Sequence, residues 1–237
     1  MIKLFYFSLI AGFTTIAGIL IIFYAQKWVA KNSVKLIGFS AGVILTVAFI
    51  HLLPEATQFT DWSYLTVLIT IIGFYILEHV LVIHHCQEDD CEVHAIGVLA
   101  ITGMTIHSLL DGIIIGIGFA ASNPLGIAAT IGVIMHKLPD GATIATLLIH
   151  EKYEKKKIML LGTIMALATP VGALLSGFWV YGTDQQILGI LLAVASGSFI
   201  YIGASDLLPE THKKHDISNI PYVISGVLFI QILEKLH

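Results

Sequence analysis

The chain has 237 residues, of which 57% are hydrophobic and only 12% are charged, and its formal net charge at pH 7 is −4. Its mean hydropathy of +0.89 lies far above that of soluble domains and within the range of proteins that cross a membrane several times. These values exclude a soluble globular domain, and they give no reason to expect a nucleic acid as a partner.

Eight apolar stretches follow one another along the chain, most of them close to the ~20 residues that a helix needs to cross a bilayer. Their bounds are roughly 4–26, 36–53, 63–83, 95–120, 125–149, 158–180, 186–208 and 217–236. We therefore predict an all-α polytopic membrane protein with eight transmembrane helices, in which residues 1–237 form one transporter domain. The first stretch is longer than the apolar core of a usual signal peptide, so we expect it to be retained.

Lysine residues occur in alternate connectors between these stretches. They cluster at 27–35, at 152–157 and at 213–214, whereas the connectors on the other side carry acidic residues and no lysine. By the positive-inside bias, the lysine-rich connectors are expected to lie in the cytoplasm. We therefore expect a multi-pass protein of the cell membrane with both termini outside the cytoplasm. A homodimer is possible, and the sequence does not decide the oligomeric state.

The connector at 84–94 packs three histidines, two cysteines and four acidic residues into eleven positions. The charge bias places it in the cytoplasm, where a structural disulfide is not expected. Its spacing matches no structural zinc fold, so we expect weak metal capture, with a merely solvated acidic loop as the alternative. The candidate ligands are His84, His85, Cys86, Cys91 and His94.

The pattern His-x-Leu-x-Asp-Gly occurs twice, at 107–112 and at 136–141, each time near the middle of an apolar stretch. An i, i+4 spacing places the imidazole and the carboxylate on one face of a helix, so two packed segments offer four ligands. An ionised side chain at the centre of a membrane helix costs about 2.5–3.5 kcal/mol, and a structural role alone gives no reason to keep it. The candidate metal ligands are His107, Asp111, His136 and Asp140.

The chemistry of two imidazoles and two carboxylates suits Zn²⁺ best, and Fe²⁺, Mn²⁺, Co²⁺ or Cd²⁺ acceptably. Sites for Mg²⁺ or Ca²⁺ are built from oxygen ligands, so a set with two imidazole nitrogens disfavours these two ions. Pro139, in the second segment, has no N–H and therefore frees the carbonyl of Met135. We expect the missing hydrogen bond to loosen the helix or the freed carbonyl to supply another oxygen ligand. A plain structural kink at Pro139 is the alternative.

A second internal repeat links two other spans. Residues 40–55 align without a gap with residues 195–210, with five identities, and both segments end in Leu-Leu-Pro-Glu. One segment lies in an even-numbered span and the other in an odd-numbered span, so we predict that they run antiparallel, as in the inverted repeats of transporters. Chance repetition of a motif that ends a helix is the alternative.

Polar residues in the repeated segments and close after the second one suggest a route for an ion. The predicted entrance consists of His51 and Glu55. The predicted exit consists of Asp206, Glu210 and His212.

The two His-x-Leu-x-Asp-Gly segments and the two segments of the second repeat, taken in chain order, resemble those of the ZIP family of divalent metal transporters. The motifs that carry the resemblance are Ala-Gly-x8-His-Leu-Leu-Pro-Glu at 41–55, His-Ser-x-x-Asp-Gly at 107–112, His-Lys-x-Pro-Asp-Gly at 136–141 and the segment 198–210. The resemblance covers nearly the whole chain. It implies a 3+2+3 helix bundle that brings zinc, iron or a related cation into the cytoplasm, with the four candidate ligands as the principal metal site between spans 4 and 5.

Many bacterial members of the family hold a second ion beside the first, through an Asn, an acidic residue and a Glu. Ser108, Lys137 and Thr169 occupy these three positions here, so the resemblance implies that the second site is lost. Lys137 can reach the carboxylates and replace the second ion with its own charge. A simple buried counter-ion for Asp140 is the overlapping alternative for this lysine.

An intramembrane zinc-dependent lipid amidase or hydrolase is the competing function, because His, Asp and Ser side chains within spans also serve to activate water. The chain contains neither the His-Glu-x-x-His motif of metalloproteases nor a Walker-type loop for ATP. The inside-negative potential alone favours the entry of a divalent ion by about 4.6 kcal/mol per 100 mV. We therefore predict a transporter rather than an enzyme, with a divalent metal ion and the lipid bilayer as its partners.

Overall fold

The structure is a computed structural model, and it describes residues 2–83, 93–180, 182–212 and 219–235. Within these ranges the chain is almost entirely helical and contains no β-strand. The helices are α1 (Ile2–Thr46), α2 (Leu53–Phe59), α3 (Ser63–Ile83), α4 (Val93–Ala121), α5 (Asn123–His150), α6 (Lys155–Val180), α7 (Gln185–Tyr201), α8 (Leu208–His212) and α9 (Ile220–Lys235). Two π-helical segments interrupt this series, Val47–Leu52 before α2 and Ile202–Leu207 before α8.

The predicted loop ligands His84, His85, Cys86 and Cys91 lie outside the described residues, as do the side chains of His94 and His212. Metal capture by the loop therefore stays a prediction.

The first two predicted spans correspond to two candidate membrane spans, Ile2–Ala25 and Asn32–Phe59, and α1 contains the first of them and most of the second, on either side of a kink. The connector expected between residues 26 and 36 is helical, and α1 is interrupted only by a kink at Ala25, where φ is −131° and ψ is 31°. Residues 19–37 contain neither glycine nor proline, so nothing in the local sequence stops the backbone hydrogen bonding of the helix. The kink nevertheless separates two parts of α1, an N-terminal part (2–25) and a C-terminal part (32–46).

The protein is an all-α polytopic membrane protein. Among the described residues, five helical stretches are long and apolar enough to cross a bilayer. They are Ile2–Ala25, Asn32–Phe59, Ile101–Ala121, Lys155–Val180 and Gln185–Thr211. Shorter apolar helices at Ser63–Ile76 and Ile220–Leu233 accompany them.

Helix α5 is not among these five, although its 28 residues correspond to a length of about 42 Å. Its middle carries the second His-x-Leu-x-Asp-Gly motif, whose charged residues lower its hydropathy. Its start is well defined, because the Ser122 hydroxyl accepts a hydrogen bond from the Leu125 N–H and Pro124 occupies the first turn. Ser122 is the only residue between α4 and α5, so the two helices that carry the motifs are held side by side.

The outer surface of the bundle is apolar. Large aliphatic side chains such as Ile69, Leu167 and Leu228 are exposed on it, as expected for a surface that faces lipid. Exposed aromatic rings lie near helix ends, among them Trp62 at the start of α3 and Trp179 at the end of α6. Rings in this position are typical of the membrane interface.

The two repeated segments run antiparallel, as predicted. Contacts occur at successive levels along the helical stretches that carry the two segments, Asn32–Phe59 and Gln185–Thr211. From one end to the other, the contacting pairs are Phe59 with Gly189, Ala48 with Ser196, Leu45 with Gly203 and Gly38 with Thr211. The residues predicted as entrance and exit therefore lie toward opposite ends of this helix pair.

Candidate metal centre

Three of the four predicted ligands meet between α4 and α5, and the fourth lies beside them. On α4, the His107 Nε2 atom lies 3.4 Å from Asp111 Oδ2, as the i, i+4 spacing requires. From α5, His136 Nε2 approaches the same oxygen to 3.2 Å. These three residues offer ligand atoms that all lie within 4.8 Å of one another. Asp140 completes the set at its edge, with Oδ2 3.8 Å from His107 Nε2.

These distances suit a transition-metal ion. Ligand atoms at about 2.0–2.2 Å from a tetrahedral Zn²⁺ lie roughly 3.3–3.6 Å from one another, close to the three separations of 3.2, 3.4 and 3.8 Å. Oδ1 of Asp111 and Oδ2 of Asp140 are buried without a hydrogen-bond partner, whereas Oδ2 of Asp111 is paired with the Lys137 ammonium at 2.7 Å. Buried polar atoms are normally hydrogen bonded, so this convergence of donor atoms fits a site for a cation.

His136 is oriented by its own helix. Its Nδ1 atom lies 3.0 Å from the carbonyl oxygen of Gly132, one turn earlier. When Nδ1 carries the proton it donates to that carbonyl, and the lone pair of Nε2 then points toward Asp111, as a metal ligand requires.

Lys137 is completely buried beside the ligands. Its Nζ atom lies 2.7 Å from Asp111 Oδ2 and donates a hydrogen bond of 2.7 Å to the Ser108 hydroxyl. Asp140 Oδ2 is more distant, at 3.9 Å. The close ion pair therefore joins α5 to α4, and the alternative of a simple counter-ion for Asp140 describes only the weaker contact.

A family model described as ZIP Zinc transporter matches residues 83–234, which is more than half of the chain. The chain belongs to this family. Human Zinc transporter ZIP4 is 30% identical over 114 residues, which is 48% of this chain and 17% of the relative. Zinc transporter zipt-7.2 of Caenorhabditis elegans is 28% identical over 134 residues, covering 54% of this chain and 29% of the relative.

A bacterial relative aligns over much more of its length. Zinc transporter ZupT of Chlorobium chlorochromatii (strain CaD3) is 25% identical over 252 residues, covering 95% of this chain and 94% of the relative. The alignments to the two animal relatives, by contrast, span less than a third of those proteins.

The three positions at which the resemblance implies the loss of a second metal site have different surroundings in this ZIP family member. Ser108 and Lys137 are hydrogen bonded to each other. Thr169, on α6, is buried, and its hydroxyl has no hydrogen-bond partner. The backbone of Thr169 packs directly against Gly112, the residue that follows the ligand Asp111.

The Met135 carbonyl has a hydrogen-bond partner that the sequence did not indicate. From the sequence we expected this carbonyl to be an additional ligand, or the helix to be loosened beside it. The hydroxyl of Ser40, on the C-terminal part of α1, donates a hydrogen bond of 2.7 Å to this carbonyl. The only signal in the sequence was that Ser40 opens the repeated segment 40–55.

The two π-helical segments occupy the same positions in the internal repeat, 47–52 and 202–207. In each, an amide N–H bonds the carbonyl five residues earlier, from Leu53 to Ala48 and from Leu208 to Gly203. In both copies one leucine separates the segment from a proline, Pro54 or Pro209. Because its ring clashes with the preceding turn of an α-helix, a wider turn before it is physically reasonable.

The candidate entrance and exit residues lie in and after these segments. His51 is half-buried with an unpartnered Nε2 atom, and Glu55 accepts a hydrogen bond of 3.4 Å from Gln58. Asp206 is exposed and Glu210 is half-buried. The metal centre lies between these ends, since the His136 ring packs at 6.1 Å against Phe199, one turn before the second π-helical segment.

Proposed function

We propose that this chain is a divalent metal transporter that carries Zn²⁺, and less readily Fe²⁺, Mn²⁺, Co²⁺ or Cd²⁺, across the membrane into the cytoplasm. The observation that carries this proposal is the convergence of two imidazoles and two carboxylates from α4 and α5 inside a membrane-spanning bundle. The family supports it, as do the three relatives named above, all of them zinc transporters.

The charges of the centre fit a transported ion better than a permanently bound one. With neutral histidines, Asp111, Asp140 and Lys137 sum to −1, and a divalent ion changes this to +1. Because the lysine ammonium contacts Asp111 at 2.7 Å, an arriving ion must compete with it for the same oxygen. This competition weakens binding and favours release, and in our proposal Lys137 takes the place of a second metal ion.

The proposed route starts at His51 and Glu55, passes the metal centre and ends at Asp206, Glu210 and His212. Its support is the placement of the described residues of the two sets toward opposite ends of an antiparallel helix pair. With both termini outside the cytoplasm, the lysine-rich connectors face inward, and the membrane potential drives uptake without a further energy source.

The competing hydrolase function has no support in the comparisons, because the family consists of membrane transporters. The position of Lys137 is also unfavourable for it, since an ammonium rather than a carboxylate base lies beside the ligands.

Uptake of radioactive zinc into proteoliposomes tests the proposal. His107→Ala and Asp140→Ala each remove a partly exposed ligand, and uptake is expected to fall at least about tenfold in both. His79→Ala is the matched control, because this exposed histidine of α3 stacks on Tyr75 away from the centre. Folded variants that carry zinc as fast as the parent would refute the site, and release of fatty acid from ceramide-like lipids would favour the hydrolase.

A further inference from the structure

A single hydroxyl group connects the metal-binding helix to a neighbouring span. An α-helix normally satisfies the carbonyl of residue 135 with the amide N–H of residue 139, and proline has no such group. The hydroxyl of Ser40 lies 2.7 Å from that carbonyl oxygen, across 95 residues of sequence. Ser40 is buried, so water does not compete freely for this bond.

The same hydroxyl also has a local acceptor, the carbonyl oxygen of Leu36 at 2.9 Å. A serine hydroxyl carries one proton, and the shorter of its two contacts is the one to Met135. If residue 139 had an amide N–H for the Met135 carbonyl, the Ser40 hydroxyl could bond the Leu36 carbonyl alone, as serine often does within a helix.

The position of this bond matters because Met135 directly precedes His136 in α5. The orientation of the His136 ring depends on the Gly132 carbonyl at 3.0 Å, and Nε2 must face Asp111 at 3.2 Å. A backbone free to shift at residues 135–139 would move the ring relative to α4. Contacts outside the ligand set that hold the ligands in place influence metal affinity.

We propose that Ser40 is a positioning residue of the metal centre, whose hydroxyl takes the place of the amide that Pro139 lacks and holds α5 in the geometry that His136 needs. The readout through zinc affinity rests on the proposed function, whereas the bond itself is tested separately by thermal stability.

The experiment compares five purified proteins, the parent, Ser40→Ala, Pro139→Ala, the double variant and the control Ser8→Ala. Ser8 is a fully buried serine of the same helix, and it bonds only a carbonyl of its own helix, that of Phe5 at 3.0 Å. The readouts are the zinc dissociation constant by calorimetry, the visible spectrum of bound Co²⁺, and the melting midpoint of the metal-free protein.

Ser40→Ala is expected to raise the zinc dissociation constant about tenfold and to alter the Co²⁺ spectrum. In the Pro139→Ala background, where residue 139 again has an N–H for Met135, the same change should raise the constant less than about twofold. Equal losses in both backgrounds, no loss in either, or an equal loss in Ser8→Ala would overturn the proposal. If the parent binds no zinc the proposed function fails, and the melting midpoints still decide the bond, since coupled midpoints support it and additive ones refute it.

Discussion

The two His-x-Leu-x-Asp-Gly motifs have the same sequence pattern but opposite patterns of burial. On α4 the carboxylate is the buried member, with Asp111 1% and His107 22% exposed. On α5 the imidazole is the buried member, with His136 0% and Asp140 16% exposed. The centre thus contains a buried His–Asp pair and a more accessible one, each made of one residue from each helix.

Each motif also packs on a different neighbouring helix. Gly112 of the first motif lies against the backbone of Thr169 on α6, and Gly141 of the second lies against the backbone of Thr15 on α1. A Cβ atom at either glycine would overlap a carbonyl oxygen, so glycine permits both close approaches. The glycine of each motif therefore serves packing, and the ligands are placed as a consequence.

The largest expected effect distinguishes the two carboxylates. Asp111→Asn leaves the buried Lys137 without its close counter-ion, and breaking such a pair typically costs about 3–5 kcal/mol. Asp140→Asn should cost much less, because Asp140 is partly exposed and lies 3.9 Å from the ammonium. Unfolding of the metal-free proteins in detergent measures both losses, and equal losses would mean that the two carboxylates are not buried differently.

An intermediate effect is expected at the packing glycine of the first motif. The Cβ of Gly112→Ala would lie 1.9 Å from the Thr169 carbonyl oxygen, and overpacking of this kind costs about 1–3 kcal/mol. Gly103→Ala on the same helix is the control, since nothing lies within 4 Å of its added Cβ. The melting midpoint should fall only in Gly112→Ala, and a similar fall in both variants would contradict the close approach of α4 and α6.

On zinc binding, a change of Lys137 is expected to alter how many ions the centre takes rather than whether it takes one. Lys137→Glu exchanges the tethered cation for another oxygen ligand beside Asp111, so bound zinc should rise toward two ions per chain. Lys156→Glu, an exposed lysine at the start of α6, serves as the control. An unchanged zinc content by elemental analysis would argue against the replacement of a second ion by Lys137.

Much of this fold could be predicted from hydropathy, because a bilayer imposes both the length and the apolar character of each span. The antiparallel repeat could also be predicted, since the segments 40–55 and 195–210 share the motif Leu-Leu-Pro-Glu. The helical conformation of residues 26–36 was not predicted, because lysines that suggest a connector are also good helix formers. The π-helical segments depend on a clash with proline that hydropathy does not register.

The proximity of His107, Asp111 and His136 could be predicted, because i, i+4 spacing in two copies leaves few other arrangements, and their role as metal ligands stays a prediction. The carboxylate that pairs most closely with Lys137 could not be predicted. Its shorter contact is with Asp111, and this depends on how α4 and α5 are rotated about their axes. For the same reason, the bond from Ser40 to the Met135 carbonyl joins residues whose proximity only the packed structure reveals.

The most direct test of the central claim is a crystal structure of the zinc-loaded protein with anomalous data collected at the zinc absorption edge. The account predicts one strong peak per chain at about 2.0–2.2 Å from ligand atoms of His107, Asp111, His136 and Asp140, between α4 and α5. A peak bound by only one of these helices, or located elsewhere in the bundle, would contradict it.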